Sequence, residues 1–486
     1  MSVKLRESDR RLFELVSEAA YENPFGQRRS SLDAAISEAP AGDPEWRQRM
    51  LQRVDARLVA LAAHGRLELR GWSGRDRELI EHSLLFVAFH RILDPLDAYV
   101  AAQERSADAS LRVAFADEFL RGLHAHGFEE GRPVRMLELC YQMRRAWYFI
   151  SRGLVGGSAC MRRLREELWQ AVFTRDIRRY ERHLWNRMED FSTILSGETG
   201  TGKGAAAAAI GLSGFIPFDA KKSAFAHHIR QAFLPIHLNE YPESLFESEI
   251  FGHRKGAFTG AVDNHEGVLA RCREHGSVFF DEIGEATLQI QVKLLRVLQE
   301  RVFTPVGSRE QRRFSGRILA ATHRSLPELR AAGAMRDDFF YRLCSNLIDV
   351  PPLRTRLQEA PAELGELVGH LCTRITGAES SELSAEVTAA LQRDLGPGYA
   401  YPGNVRELEQ CVRRVLLTGS CARDDRHSRS EDAALQRALA SGAWSADALL
   451  ERYCAALYRR TNSYVDVARV TGLDRRTVKK HVERAG

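Results

Sequence analysis

The sequence predicts an α/β domain built on a largely parallel sheet, preceded by a mostly helical region and followed by a small basic helical unit. Three observations carry this prediction. Strand-like apolar runs at Ser192–Ser196, Leu234–Leu238, Ser277–Phe280 and Arg317–Ala321 alternate with helical stretches, which implies parallel strands joined by crossovers. Ahead of them, apolar residues recur three and four apart. Behind them, from Ala446 onward, nine Lys+Arg stand against five Asp+Glu, so this short unit holds a net +4 of the chain's formal +5.

At 486 residues the chain is long enough for roughly three domains. Hydrophobic residues at 44% and charged residues at 28% are the balance of a globular protein, which excludes a disordered chain. No run of 18 apolar residues occurs, so no membrane-spanning helix is expected. Met1 to Arg11 is dense in charge and is not read as a secretory signal. The eight cysteines form no Cys-x-x-Cys pair and the histidines no ligand pattern. The expectation is a reducing, cytoplasmic setting without a zinc site.

Residues 1–151 read as helical, with Arg11–Ala20, Trp46–Ala63 and Leu84–Leu96 as the clearest segments and glycines such as Gly71, Gly74 and Gly127 between them. They hold no catalytic constellation and are expected to be regulatory, with a role the sequence does not name. Residues 152–350 form the α/β part, 351–419 a smaller helical subdomain, 420–445 a polar linker rich in Ser, Arg, Asp and Ala, and 446–486 the basic unit.

The first chemistry lies after Ser192–Ser196, where Gly197, Glu198, Thr199, Gly200, Thr201, Gly202, Lys203 and Gly204 lead into an alanine-rich helix. Such a turn aims successive backbone N–H groups into one cavity, and the helix N-terminus adds partial positive charge. Lys203 is placed to reach β- and γ-phosphates. The Ser/Thr that follows the lysine in the strict motif is here Gly204. About 80 residues on, Ser277-Val-Phe-Phe-Asp-Glu ends an apolar strand in two carboxylates. Asp281 can hold Mg²⁺ through water and Glu282 can polarise an attacking water.

Between these motifs, Glu247-Ser-Glu-Ile-Phe-Gly-His-Arg-Lys-Gly-Ala-Phe-Thr-Gly-Ala261 contains the run Gly256, Ala257, Phe258, Thr259, Gly260, Ala261. This run resembles the signature of the bacterial enhancer-binding proteins, the AAA+ ATPases that activate sigma-54 RNA polymerase. The resemblance runs from about Leu154 to Leu417. It includes Val155-Gly-Gly-Ser-Ala-Cys-Met-Arg-Arg-Leu-Arg165, Val292-Lys-Leu-Leu-Arg-Val-Leu-Gln299, Arg336-Asp-Asp-Phe-Phe-Tyr-Arg-Leu343, Pro351-Pro-Leu-Arg-Thr-Arg356 and Tyr401-Pro-Gly-Asn-Val-Arg-Glu-Leu408. It implies an α/β AAA+ P-loop ATPase with a helical lid, using ATP and Mg²⁺.

By position, Asp281 matches the magnesium-associated aspartate of the family and Glu282 the water-activating glutamate. Thr322 falls at the first sensor, Arg406 at the second. Arg336 and Arg342 match the arginines offered to a neighbouring protomer, so the resemblance implies a homo-oligomeric ring, usually a hexamer. It also implies that Phe258, the one large apolar group on a glycine-flanked loop, reaches sigma-54 in the polymerase holoenzyme. On its own residues, the loop reads as a mobile tip carrying an exposed aromatic.

Three residues depart from the family: Gly204 replaces the usual Glu, His237 an Asn on the strand before the signature, and His323 the Asn after Thr322. The stretch from Gly211 to Pro235 is also longer than usual. These departures keep open an alternative reading, a DNA-binding regulator that binds nucleotide but hydrolyses it slowly or not at all.

The last unit, Tyr464 to His481, fits a helix-turn-helix template, with Ala468 at the helix contact, Gly472 in the turn, Leu473 and Val478 facing the core and Asp474 as cap. Its second helix would present Arg475, Arg476, Thr477, Lys479 and Lys480 to double-stranded DNA. It resembles the Fis-type domain found at this end of many family members. Together these readings give a cytoplasmic, sigma-54-dependent activator that binds upstream DNA and hydrolyses ATP to open the promoter complex. A third reading, an AAA+ remodeller of some other protein anchored on DNA, conflicts with the loop signature.

Overall fold

The computed structural model describes residues 4–39, 43–63, 67–106, 111–238, 243–396, 398–421, 445–461 and 463–485. Most of the expected linker, 422–444, lies outside the described residues. The chain divides into two compact units, Met1–Ala389 with Pro397–Arg413, and Ala390–Gly396 with Arg414–Gly486.

The first unit contains a five-stranded parallel sheet in the order Phe233–His237, Ser277–Asp281, Arg317–Thr322, Thr193–Ser196, Asn346–Asp349. The central strands Ser277–Asp281 and Arg317–Thr322 are buried along almost their whole length, with apolar interiors, because helices cover both faces. Four strands match the sequence expectation to within a residue or two. The fifth, Asn346–Asp349, was not expected; it is an edge strand with only Ile348 fully buried, so its apolar signal is short. Arg317 is buried at the start of its strand and donates to Phe191 O, Ala171 O and Thr193 Oγ1 at 2.7, 2.7 and 2.9 Å. It thereby ties sheet to helix, and burial pushes its pKa down to about 10.

Ahead of the sheet, helices span Glu7–Tyr21, Gln27–Ser37, Trp46–Ala63, Gly74–Arg91, Leu93–Arg105, Ala116–Ala125 and Arg132–Gly153. The expected continuous helix at Leu84–Leu96 is in fact the meeting of two, broken at Ile92. Pro95 has no N–H to donate to the carbonyl four residues back, so one helix cannot run through.

One hydrophobic cluster extends from Leu5 through Tyr141 and Ile150 to Leu195, Phe225 and Val350, passing straight through position 151. The long stretch 211–235 explains much of it. It folds as a small hairpin, Phe218–Asp219 with Ala224–Phe225, and a short turn of helix at Ile229–Ala232. The N-terminal helices grip it: Tyr141 stacks on Phe225 with centroids 3.8 Å apart. Arg145, fully buried, donates to Leu212 O at 2.7 Å and Gly214 O at 2.6 Å. Gln142 donates to Ser213 O, and the Phe218 amide donates to Glu138.

In the second unit, helices Ala446–Thr461, Tyr464–Thr471 and Arg475–Ala485 enclose a small core of Cys454, Val467 and Val478, with Ala468 and Leu473 packed on it. Gly472 takes φ 72° at the turn, a left-handed value that favours glycine. Asp474 accepts from the amides of Arg476 and Thr477 at 2.9 and 3.0 Å, capping the last helix.

Candidate nucleotide site

Parallel strands deliver their C-terminal ends to one edge of the sheet, and in open α/β sheets ligands bind there, where strand order reverses. Thr193–Ser196 sits at that reversal, with a strand on either side, and the loop Gly197–Gly204 leaves from its end. Gly197, Gly200 and Gly202 have φ of 152°, 80° and 104°. At Gly200 a Cβ would lie 2.3 Å from Gly403 O, so only glycine lets the loop meet the segment that follows Tyr401. Helix Lys203–Gly211 packs Ala206, Ala207 and Ala209 close against the sheet.

Lys203 is buried, its Nζ donating to Gly197 O at 2.8 Å and Glu198 O at 3.1 Å. Burial lowers its pKa, opposed by the nearby Glu282 and Asp281. Thr201 Oγ1 donates to Glu198 O. Gly204 faces open space.

Loop and lid are latched together. Asn404, fully buried, donates through Nδ2 to Thr199 O at 3.0 Å and to Glu198 Oε2 at 3.2 Å, and accepts the Leu353 amide through Oδ1. The Val405 amide donates to Gly200 O. Arg354 grips Glu198 with both guanidinium nitrogens, which with Asn404 holds that carboxyl down at about 2.

A cleft of about 390 Å³ opens between these parts. Thr199 to Ala205, His237, Asp281 and Glu282 form its floor; Leu154, Val155 and Met161 form one wall; Leu367, His370, Leu371, Arg374 and Arg406 form the other. The wall at Val155 is braced by a buried ion pair, Arg356 to Glu363 at 2.6 Å. Arg356 donates onward to Val155 O, and the Ser158 amide donates to Glu363. Sequence reasoning missed Asn404, Arg354, Glu363 and this apolar wall, although Asn404 and Arg354 lie inside quoted motifs.

Both expected carboxylates reach the floor, and each meets a histidine. Register pairs His237 with Asp281 on adjacent strands, bringing His237 Nδ1 within 3.1 Å of Asp281 Oδ2. Glu282 sits at φ 59°, a strained position for a carboxylate residue, and its Oε2 lies 2.7 Å from His323 Nδ1 while accepting the His323 amide at 3.2 Å. Thr322 is fully buried, its Oγ1 accepting the Arg324 amide at 3.1 Å.

Arg336 and Arg342 do not line this cleft. Arg336 is engaged by both oxygens of Asp338, and Arg342 Nε donates to Leu298 O at 3.3 Å. The loop Gly256–Ala261 is compact rather than splayed: the Gly256 amide donates to Ala261 O and the Ala261 amide to Phe258 O. Phe258 is half-buried against the ring of His253, centroids 4.9 Å apart, so the expected exposed aromatic is partly sheltered by its own domain. Thr259 and Gly260 are exposed, while Ala257 rests on Gly307. In the second unit Arg475, Arg476, Lys479 and Lys480 are exposed, and the Thr477 hydroxyl is bonded to Asp474.

The donor set suits a magnesium nucleotide: a left-handed glycine loop at a helix N-terminus, a lysine within it, and two carboxylates facing it. Among the described residues no group of three or more His, Cys, Asp and Glu is placed to hold a metal ion, and no helix is long and apolar enough to cross a membrane.

Comparison with known proteins finds relatives over about half of the chain. The chain is 38% identical over 255 residues to the transcriptional regulatory protein GlrR of Escherichia coli, covering 51% of this chain and 53% of that one. It is 39% identical over 228 residues to the DNA-binding transcriptional regulator NtrC of Azospirillum brasilense, covering 46% and 43%. It spans about half the length of the curated relatives it matches. A solved structure of NtrX from Brucella abortus aligns over 77% of this chain and 80% of that chain, at 19% identity and a TM-score of 0.42. The sigma-54 interaction domain family matches residues 173–349, which hold the glycine loop, both carboxylates and the Phe258 loop. By that match, residues 173–349 form a sigma-54 interaction domain.

Proposed function

We propose that this protein is a cytoplasmic, sigma-54-dependent transcriptional activator that uses ATP hydrolysis to open the promoter complex. The observation that carries the reading is the coexistence, within residues 173–349, of the nucleotide floor and the Gly256–Ala261 loop. His237 ends the strand beside Asp281, and the chain then continues through helix Glu243–Phe251 into that loop.

In this reading the loop amides and Lys203 bind the β- and γ-phosphates. Magnesium held through Asp281 supplies charge neutralisation there. Glu282 orients the attacking water and takes up its proton as the γ-phosphoryl group leaves. Thr322 and Arg406 sense the nucleotide. Arg336 and Arg342, outside their own cleft, serve a neighbouring protomer's cleft in a ring, as a hexamer. An arginine supplied in trans is worth roughly 10³ to 10⁵ in rate. Residues 1–151 act as the regulatory region, 351–419 as the lid, 420–445 as the linker, and 446–486 as the module that holds upstream DNA through Arg475, Arg476, Thr477, Lys479 and Lys480.

Promoter opening by sigma-54 holoenzyme, followed by permanganate footprinting, tests this. Phe258→Ala should abolish opening while ATP turnover stays within about twofold of wild type. Opening that persists in the variant would refute the loop's role. A second reading, nucleotide binding with little hydrolysis, draws on the two histidine–carboxylate contacts, since His237 and His323 occupy the very groups that chemistry needs. Tight ATP binding without turnover in the assembled protein would favour it.

A further inference from the structure

We propose that His237 is a ligand of the nucleotide-bound cation and tunes that site away from Mg²⁺ toward transition cations that accept nitrogen. The proposal rests on the nucleotide reading above and assigns its cation chemistry.

The loop side of the cleft is short of an oxygen. In the strict phosphate-loop motif the residue after the lysine lends a hydroxyl to Mg²⁺. Here that residue is Gly204, and nothing lies within 4 Å of where its Cβ would be. Thr201 is buried and turns its hydroxyl onto Glu198 O at 2.9 Å. Lys203 brings only donors.

The strand side supplies a nitrogen. His237 ends the outer strand Phe233–His237, in register with Asp281. Its Nδ1 lies 3.1 Å from Asp281 Oδ2, and both residues line the cleft. Neighbouring positions on an octahedral cation with bonds of about 2.1 Å are about 3 Å apart, so one ion can accept both atoms. An imidazole with its proton on Nε2 offers a lone pair at Nδ1. Water reaches both groups, since the His237 side chain is 48% exposed and that of Asp281 23%. A hydrated ion can therefore bridge them without reorganising the sheet. The contact then shares a cation with Asp281 rather than blocking it.

Ligand type sets the choice of ion. Mg²⁺ is a hard cation that favours carboxylate, phosphate and water. Imidazole suits the later first-row cations, whose affinity for such sites rises from Mn²⁺ to Co²⁺ and Ni²⁺. The other histidines of the cleft do not compete: His323 is taken by Glu282 at 2.7 Å, and His370 stands on the opposite wall.

The test is calorimetry of ADP binding to the full chain with saturating Mg²⁺, Mn²⁺ or Co²⁺, in wild type and His237→Asn, joined to echo-detected EPR of the Mn²⁺–ADP complex. The ratio of ADP affinity with Co²⁺ to that with Mg²⁺ should fall by at least about tenfold in the variant, a comparison that cancels the cations' own affinities for ADP. The Mn²⁺ spectrum should show coupling to a directly bound nitrogen. That coupling should change when histidine is ¹⁵N-labelled, a reading made on the unmodified chain, and should disappear in His237→Asn. An unchanged affinity ratio, or a Mn²⁺–ADP complex without histidine nitrogen coupling, would overturn His237 as a ligand and leave the nucleotide site standing. Failure to bind ADP with any of the three cations would overturn both.

Discussion

His323 holds Glu282 twice, through its ring Nδ1 at 2.7 Å and its backbone amide at 3.2 Å, on the same carboxylate oxygen. In the proposed mechanism Glu282 activates the attacking water, so a partner this close competes with that task. His323→Asn, shorter and still polar, should raise kcat several-fold, up to about tenfold for a contact of about 1.4 kcal/mol, with little change in KM. Steady-state ATPase assays at saturating assembly measure this. A fall in kcat would mean that His323 orients Glu282 productively instead.

Gly200 touches the lid through its own carbonyl and has no room for a side chain. Gly200→Ala adds a Cβ 2.3 Å from Gly403 O at a φ of 80°. Calorimetric ADP affinity should drop at least about tenfold while the melting temperature of the rest of the chain stays within a few degrees. Unaltered affinity would show that the loop–lid contact does not shape the cleft.

Much of this site was readable because its parts are short motifs whose chemistry demands fixed residue types: the glycine loop, Lys203, Asp281 and Glu282. The latch was not. Asn404 and Glu198 meet across 206 positions in sequence, and neither residue alone signals a partner. His237 and His323 were visible as departures, but that each faces a different carboxylate follows only from strand register. The union of the helical region with the α/β domain was also hidden, because Arg145 and Tyr141 look like surface and core residues of their own helix. Only the folded hairpin supplies Leu212 O, Gly214 O and Phe225 as their partners.

That union predicts the outcome of truncation. Deleting residues 1–151 would strip Tyr141 and Ile150 from a cluster that includes Leu195 and Ile210, and would remove the Arg145 bonds to Leu212 O and Gly214 O. The shortened protein should aggregate or unfold rather than behave as a free ATPase. Arg145→Met in the full chain removes the donor to the part-buried carbonyls of Leu212 and Gly214, at about 1 kcal/mol each. Its melting transition should fall by several degrees by calorimetry. A soluble, folded 152–486 fragment with native-like near-UV circular dichroism would contradict this packing.

Burial holds His82 down to about 4 and His90 down to about 3, from an ordinary value of 6.5. Both stay neutral in the folded helical region, while the unfolded chain takes up protons below pH 6.5. Stability from these groups is therefore full above pH 6.5 and is lost as pH falls toward 4. The slope is at most about 1.4 kcal/mol per pH unit for each histidine. Thermal melts from pH 7.5 to 4.5 should show this decline, and His82→Gln with His90→Gln should flatten it. An unchanged slope in the double variant would locate the acid sensitivity elsewhere.

ATP hydrolysis by the full chain against protein concentration, with Glu282→Gln as control, tests the central claim most directly. A ring with arginines supplied in trans predicts specific turnover that rises steeply with concentration and vanishes in the control. Turnover that is independent of concentration, or absent while ATP still binds, would contradict an assembly-dependent motor.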